Sequence, residues 1–124
     1  MVVDDSAAIR KILQRVLRQT GMAIRTIHEA GNGEEALDVM NAHKVDLVLT
    51  DINMPKMDGL QFLAAVKASA EWRQVPVVMI TTEGGETKVS EAVKLGAAGY
   101  VRKPFTADQI KEKLVRILAP AVAL

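Results

Sequence analysis

The sequence predicts a doubly wound α/β fold, a five-stranded parallel sheet covered by helices on both faces. Short apolar runs alternate five times with stretches of helical periodicity, and several of the runs are continuous, as strands buried on both faces require. Acidic and hydroxyl residues stand where the runs end.

Met1 to Val3 reads as the first strand. Ser6 then offers an N-cap, Ile9, Ile12, Leu13, Val16 and Leu17 recur at helical spacing, and Gly21 supplies the stop. Ala23 to Ile27 is the second strand and Glu34 to Ala42 the second helix. Val45 to Leu49 is the third strand, after which Met54-Pro55 and Asp58-Gly59 shape a loop and cap a helix over Leu60 to Ala68. Val75 to Ile80 is the fourth strand; the pliable pair Gly84-Gly85 precedes a helix over Thr87 to Leu95. Gly99 to Val101 is the fifth strand, and the last helix, Ala107 to Leu118, carries Ile110, Leu114, Ile117 and Leu118 on one stripe. Pro120 is expected to stop it and the residues beyond to fray. Parallel strands joined by helices require right-handed crossovers.

At 124 residues and 49% hydrophobic content the chain suits one core, so residues 1–124 are expected to form a single domain with no separate output module. Sixteen basic residues against fifteen acidic ones leave a net charge of +1, too small a field to attract nucleic acid directly. The absence of cysteine excludes disulfides, thiolate chemistry and Cys-ligated zinc. No apolar run approaches the roughly 20 residues that span a bilayer, and the opening residues lack the pattern of a signal peptide. The expectation is a soluble, cytoplasmic protein with no membrane partner.

In an open parallel sheet, functional groups gather beyond the carboxyl ends of the strands. The first strand delivers Asp4 and Asp5 there, the third Asp51, the fourth Thr81-Thr82, and the fifth leads to Lys103-Pro104-Phe105. Three clustered carboxylates repel one another, and a divalent cation is the natural compensation. Hard oxygen ligands without His or Cys favour Mg2+, which retains waters and leaves room for phosphate oxygens; no EF-hand loop argues for calcium. Each residue also has a plainer reading. Asp4 and Asp5 suit a helix dipole, Asp51 and Asn53 suit a turn, Thr81 a strand end, and Lys103 a solvated loop. Their arrival at successive strand ends in one order favours the functional reading.

The stretches Val2-Val3-Asp4-Asp5-Ser6, Leu47 to Gly59, Met79-Ile80-Thr81 and Gly96 to Phe105 resemble the receiver domains of bacterial response regulators, most closely the single-domain chemotaxis regulators, over nearly the whole chain. The resemblance implies the flavodoxin-like strand order 2-1-3-4-5. It also implies a phosphorylation switch in two-component signal transduction rather than a turnover enzyme. Asp51 would be the phosphoacceptor, charged by a phosphohistidine of a sensor histidine kinase. Mg2+ would be held by Asp5 directly, by Asp4 through water, by Asp51, and by the backbone carbonyl of Asn53. Lys103 would pair with the phosphoryl oxygens, Thr81 would hydrogen-bond to one of them, and Tyr100 would be the switch aromatic. Asn53, Glu83 and Thr82 would tune the phosphoryl lifetime, and Lys103-Pro104 would be a cis bond. The partner surface would be the fourth helix, fifth strand and fifth helix, with the flagellar motor switch the leading target.

Other readings are a phosphate shuttle or sink in a phosphorelay, or an interaction module indifferent to phosphorylation. The intact acidic cluster with Thr81 and Lys103 argues against the module. A phosphatase working through an aspartyl phosphate would want a carboxylate at Asn53. Two departures from the family stand out. Only three residues precede Asp4, which shortens a strand expected at the sheet centre, and Trp72 lies before the fourth strand, at the end away from the acidic cluster, where the residue after Asp51 is Ile52.

Overall fold

The computed structural model describes residues 1–81 and 86–122, with the main chain alone at residues 86 and 119–122. The strands are β1 (Val2–Val3), β2 (Glu29–Ala30), β3 (Val48–Asp51), β4 (Val77–Thr81) and β5 (Gly99–Arg102). They alternate with helices α1 (Ala7–Gln19), α2 (Gly33–Ala42), α3 (Gly59–Ala68), α4 (Glu86–Leu95) and α5 (Ala107–Val122). Every pairing is parallel and the order is β2-β1-β3-β4-β5, as expected.

Successive strand residues point to opposite faces, and both faces are covered. Val3, Val48, Val77 and Met79 pack with Phe62, Leu63 and Val66 of α3, Met40 of α2 and Ala92 of α4. Val2, Leu49, Val78 and Ile80 pack on the other side with Leu13 and Leu17 of α1 and Ile110 and Leu114 of α5. Fully burying each such side chain is worth roughly 1.5–3 kcal/mol. Because both faces are packed against helices, a one-residue slip of register is disfavoured and the strand ends are fixed relative to one another. No helix among the described residues is long and apolar enough to cross a membrane.

The local expectations for α1 and α3 hold. The Ser6 hydroxyl accepts from the Ile9 N–H, and Gly21 follows α1 at φ +75°. Asp58 caps α3 in a reciprocal box with Gln61.

Several boundaries differ. The second strand is Glu29–Ala30 rather than Ala23 to Ile27, because β1 pairs only through Val2 and Val3 and its Val2 N–H reaches back no further than the His28 carbonyl, so residues 22–27 are not in the ladder. They border instead a cavity of about 580 Å³ together with Met1, His43 to Leu47 and Leu114. β3 and β4 run one to two residues further than their apolar runs, to Asp51 and Thr81, so these polar residues end the ladder itself. α5 continues through Pro120 to Val122, since a proline so near a helix end forfeits only one internal hydrogen bond. Gly84-Gly85 and the last two residues of the tail lie outside the described residues.

Candidate functional site

Each group at the carboxyl rim is fixed by its own main chain. Asp4 continues β1, donating its N–H to the Ala30 carbonyl, and its Oδ1 accepts from the Ser6 N–H at 2.9 Å. Arg10, one turn into α1, donates to the Asp4 carbonyl at 2.6 Å and to Glu29 Oε1 at 3.0 Å. Asp51 ends β3 opposite Ile80, and its Oδ1 accepts from the Ile52 N–H at 2.8 Å. The start of α3 presses on this strand end: a Cβ on Gly59 would stand 2.3 Å from the Asp51 carbonyl oxygen, so only glycine admits this approach. Thr81 is buried at the end of β4, and its carbonyl accepts from the Lys103 N–H at 2.7 Å. The Lys103-Pro104 bond is cis, as the resemblance implied.

These main chains bring the side chains together. One oxygen of each of Asp4, Asp5 and Asp51 lies within 4.8 Å of the other two. The Lys103 ammonium stands 3.5 Å from Asp4 Oδ2 and 4.0 Å from Asp51 Oδ1. At the upper limit of those oxygen separations two carboxylates repel by roughly 3 kcal/mol at an effective dielectric near 20. Burial pushes the Asp51 carboxyl above its usual value; Lys103 opposes this, while Asp4 adds to it, the Ile52 N–H opposes it and Asp5 adds again. A single ammonium therefore does not neutralise the cluster.

Asp4 is 2% exposed, and its Oδ2, close to Lys103, accepts no hydrogen bond from the described residues. A buried carboxylate oxygen in that condition is costly unless a cation faces it. All the donors are hard oxygens, which fits a small divalent cation and argues against zinc or copper.

The remaining candidates lie around this cluster. Asn53 is exposed two residues past Asp51, and its Oδ1 accepts from the Lys88 ammonium of α4 at 2.5 Å. Tyr100 is 37% exposed on β5, with the Lys113 ammonium 5.5 Å from its ring centroid. Thr82 and Glu83 lie outside the described residues. Sequence reasoning missed Arg10 and Lys88. Their partners are 19 and 35 positions away, and a lone basic residue on a helix carries no local sign of where its tip lands.

Residues 1–115 match the family model described as the response regulator receiver domain. A chemotaxis protein CheY homolog of Campylobacter jejuni is 40% identical over 119 residues, covering 95% of this chain and 90% of that protein. CheY1 of Helicobacter pylori is 39% identical, covering 95% and 94%. Among solved structures, the chemotaxis response regulator CheY4 of Vibrio cholerae superposes with a TM-score of 0.82 at 33% identity, covering 94% of this chain and 95% of that one.

Proposed function

Because the chain belongs to the response regulator receiver family, a signalling switch charged by a histidine kinase and read by a downstream target, we propose that Asp51 is its phosphoacceptor. The observation that carries this is the meeting of Asp4, Asp5, Asp51 and Lys103 within a few ångströms at the carboxyl rim.

An Asp51 carboxylate oxygen attacks the phosphorus of a phosphohistidine. The new O–P bond replaces the N–P bond, and the released imidazole nitrogen takes up a proton. Hydrolysis reverses the charge state: water attacks the same phosphorus, the acyl O–P bond breaks, and carboxylate and inorganic phosphate remain. Such transfers depend on positioning and on neutralising the equatorial oxygens more than on proton transfer. Asp4, Asp5, Asp51 and the Asn53 carbonyl would hold Mg2+, which when bound supplies that neutralisation as a Lewis acid. Lys103, already beside two of the carboxylates, supplies the second positive charge. Thr81, at the end of the neighbouring strand, donates its hydroxyl to a phosphoryl oxygen.

Phosphorylation adds charge and acceptor oxygens at Asp51 and draws Thr81 toward it. Tyr100 on β5, half in solvent, is the aromatic that follows, changing the surface made by α4, β5 and α5. That surface is the target site in this reading; chemotaxis is the output that the names of the relatives favour, and the flagellar motor switch is the target we infer for it.

Incubation with acetyl phosphate and Mg2+, followed by intact mass measurement, is expected to reveal a labile phosphoryl adduct. It should disappear in Asp51→Asn or on chelation of the metal. Labelling that persists unchanged in Asp51→Asn removes the residue from this role.

A further inference from the structure

The hydrogen bond from Lys88 to Asn53 joins the first turn of α4 to the loop that follows the acceptor strand. Two features set it apart from an incidental surface contact. A cation in the first turn opposes the helix macrodipole, so α4 gains nothing for its own stability from a lysine there. An ammonium can only donate, so Asn53 must present its carbonyl oxygen to Lys88. What the carboxamide has left is its amino end, with two N–H donors.

A phosphoryl group at Asp51 offers acceptors only. A donor two residues from the acceptor is thus useful to it, whereas a carbonyl oxygen turned the same way would repel it. We propose that Lys88 is a positioning residue for phosphoryl transfer: by engaging Asn53 Oδ1 it fixes the carboxamide so that Nδ2 serves the incoming phosphoryl oxygens. This deepens the assignment of Asp51 and rests on it. It also makes Lys88 the residue through which a new charge at Asp51 is felt at the start of α4.

The test measures adduct formation from acetyl phosphate, with Mg2+ affinity and thermal midpoint determined alongside. Lys88→Met is expected to slow formation by about three- to tenfold, as expected for loss of one charge-assisted hydrogen bond. Lys88→Arg should restore the rate to within about twofold, because it keeps the charge and the donor. Asn53→Ala should slow formation comparably, and adding Lys88→Met to it should slow it no further. Mg2+ affinity and thermal midpoint should match those of the unsubstituted chain in both lysine variants.

An equal loss from Lys88→Met with or without Asn53 would make Lys88 a general electrostatic contributor and overturn the proposal. Equally, it falls if Lys88→Met has no effect, or if Mg2+ affinity drops in step with the rate. An adduct that forms normally in the unsubstituted chain and is abolished by Asp51→Asn keeps the acceptor assignment intact through any of these failures. Absence of an Asp51-dependent adduct would overturn both.

Discussion

The two ends of the sheet treat ionisable groups in opposite ways. At the carboxyl rim, acids are crowded: burial and neighbouring carboxylates push Asp51 up, and the buried Asp4 Oδ2 has Lys103 as its nearby charge. At the other end, bases are crowded: the His28 and His43 rings stack with centroids 4.2 Å apart beside the Met1 amino group. Burial lowers that amino group to about 6, with Asp46 opposing, and lowers His28, with His43 and the amino group adding to the effect. Burial thus favours the neutral form of Asp51 at one end and of His28 and the Met1 amino group at the other. The difference lies in the remedy each charge type admits: clustered carboxylates can be relieved by a bound cation, whereas crowded bases are relieved by losing protons or by an acid such as Asp46.

Removing Lys103 breaks this contrast most sharply. Lys103→Met deletes the ammonium that competes with metal for the same oxygens, so Mg2+ should bind about tenfold more tightly. Adduct formation should nevertheless fall about a hundredfold, because a charge aimed at the transferring group is gone. Calorimetry for the metal and mass measurement for the adduct separate the two effects; metal affinity that falls instead would mean Lys103 organises the cluster rather than competing for it.

The basic end is tested by pH. A base whose folded pKa is depressed binds more protons unfolded, so stability is complete above the unfolded value and is lost as pH falls toward the folded one. For the Met1 amino group that window runs from 8.0 to about 6, and the expected loss is roughly 1–2 kcal/mol. His28→Gln should make urea-unfolding midpoints fall less steeply with acidification, and an unchanged slope would show that the stacked ring is a bystander. Asp51 has the reverse sign: a raised acid pKa means that its contribution is best in acid and declines as pH rises through the folded value.

The smallest effect concerns Trp72. Its indole lies with Met40, His43, Glu71 and Val75 along a groove at the basic end, in the turn before β4. Its fluorescence should hardly change on addition of Mg2+ or on phosphorylation. A large quench by Mg2+ alone would show that the two ends communicate.

What was legible in the sequence follows from how far each signal reaches. The strand order came with the family motifs, and the cap of α1 was readable because Ser6 lies within one turn of its partner. Asp4, Asp5, Asp51 and Lys103 were found because strand ends concentrate chemistry, and the fold brings them together. The second strand was misplaced because its pairing depends on the length of a neighbour far away in sequence, not on the apolar residues Ala23 to Ile27 themselves. Pro120 was overweighted because a helix breaker acts through the bonds it removes, which are few in a final turn. Arg10 and Lys88 escaped notice because their partners are set by tertiary structure alone.

The rung between the Thr81 carbonyl and the Lys103 N–H has an evolutionary corollary. The strand ends that carry Thr81 and Lys103 share one backbone link, so displacing either main chain drags the other. Natural variants can therefore exchange side chains around the rim more freely than they can re-space these two strands.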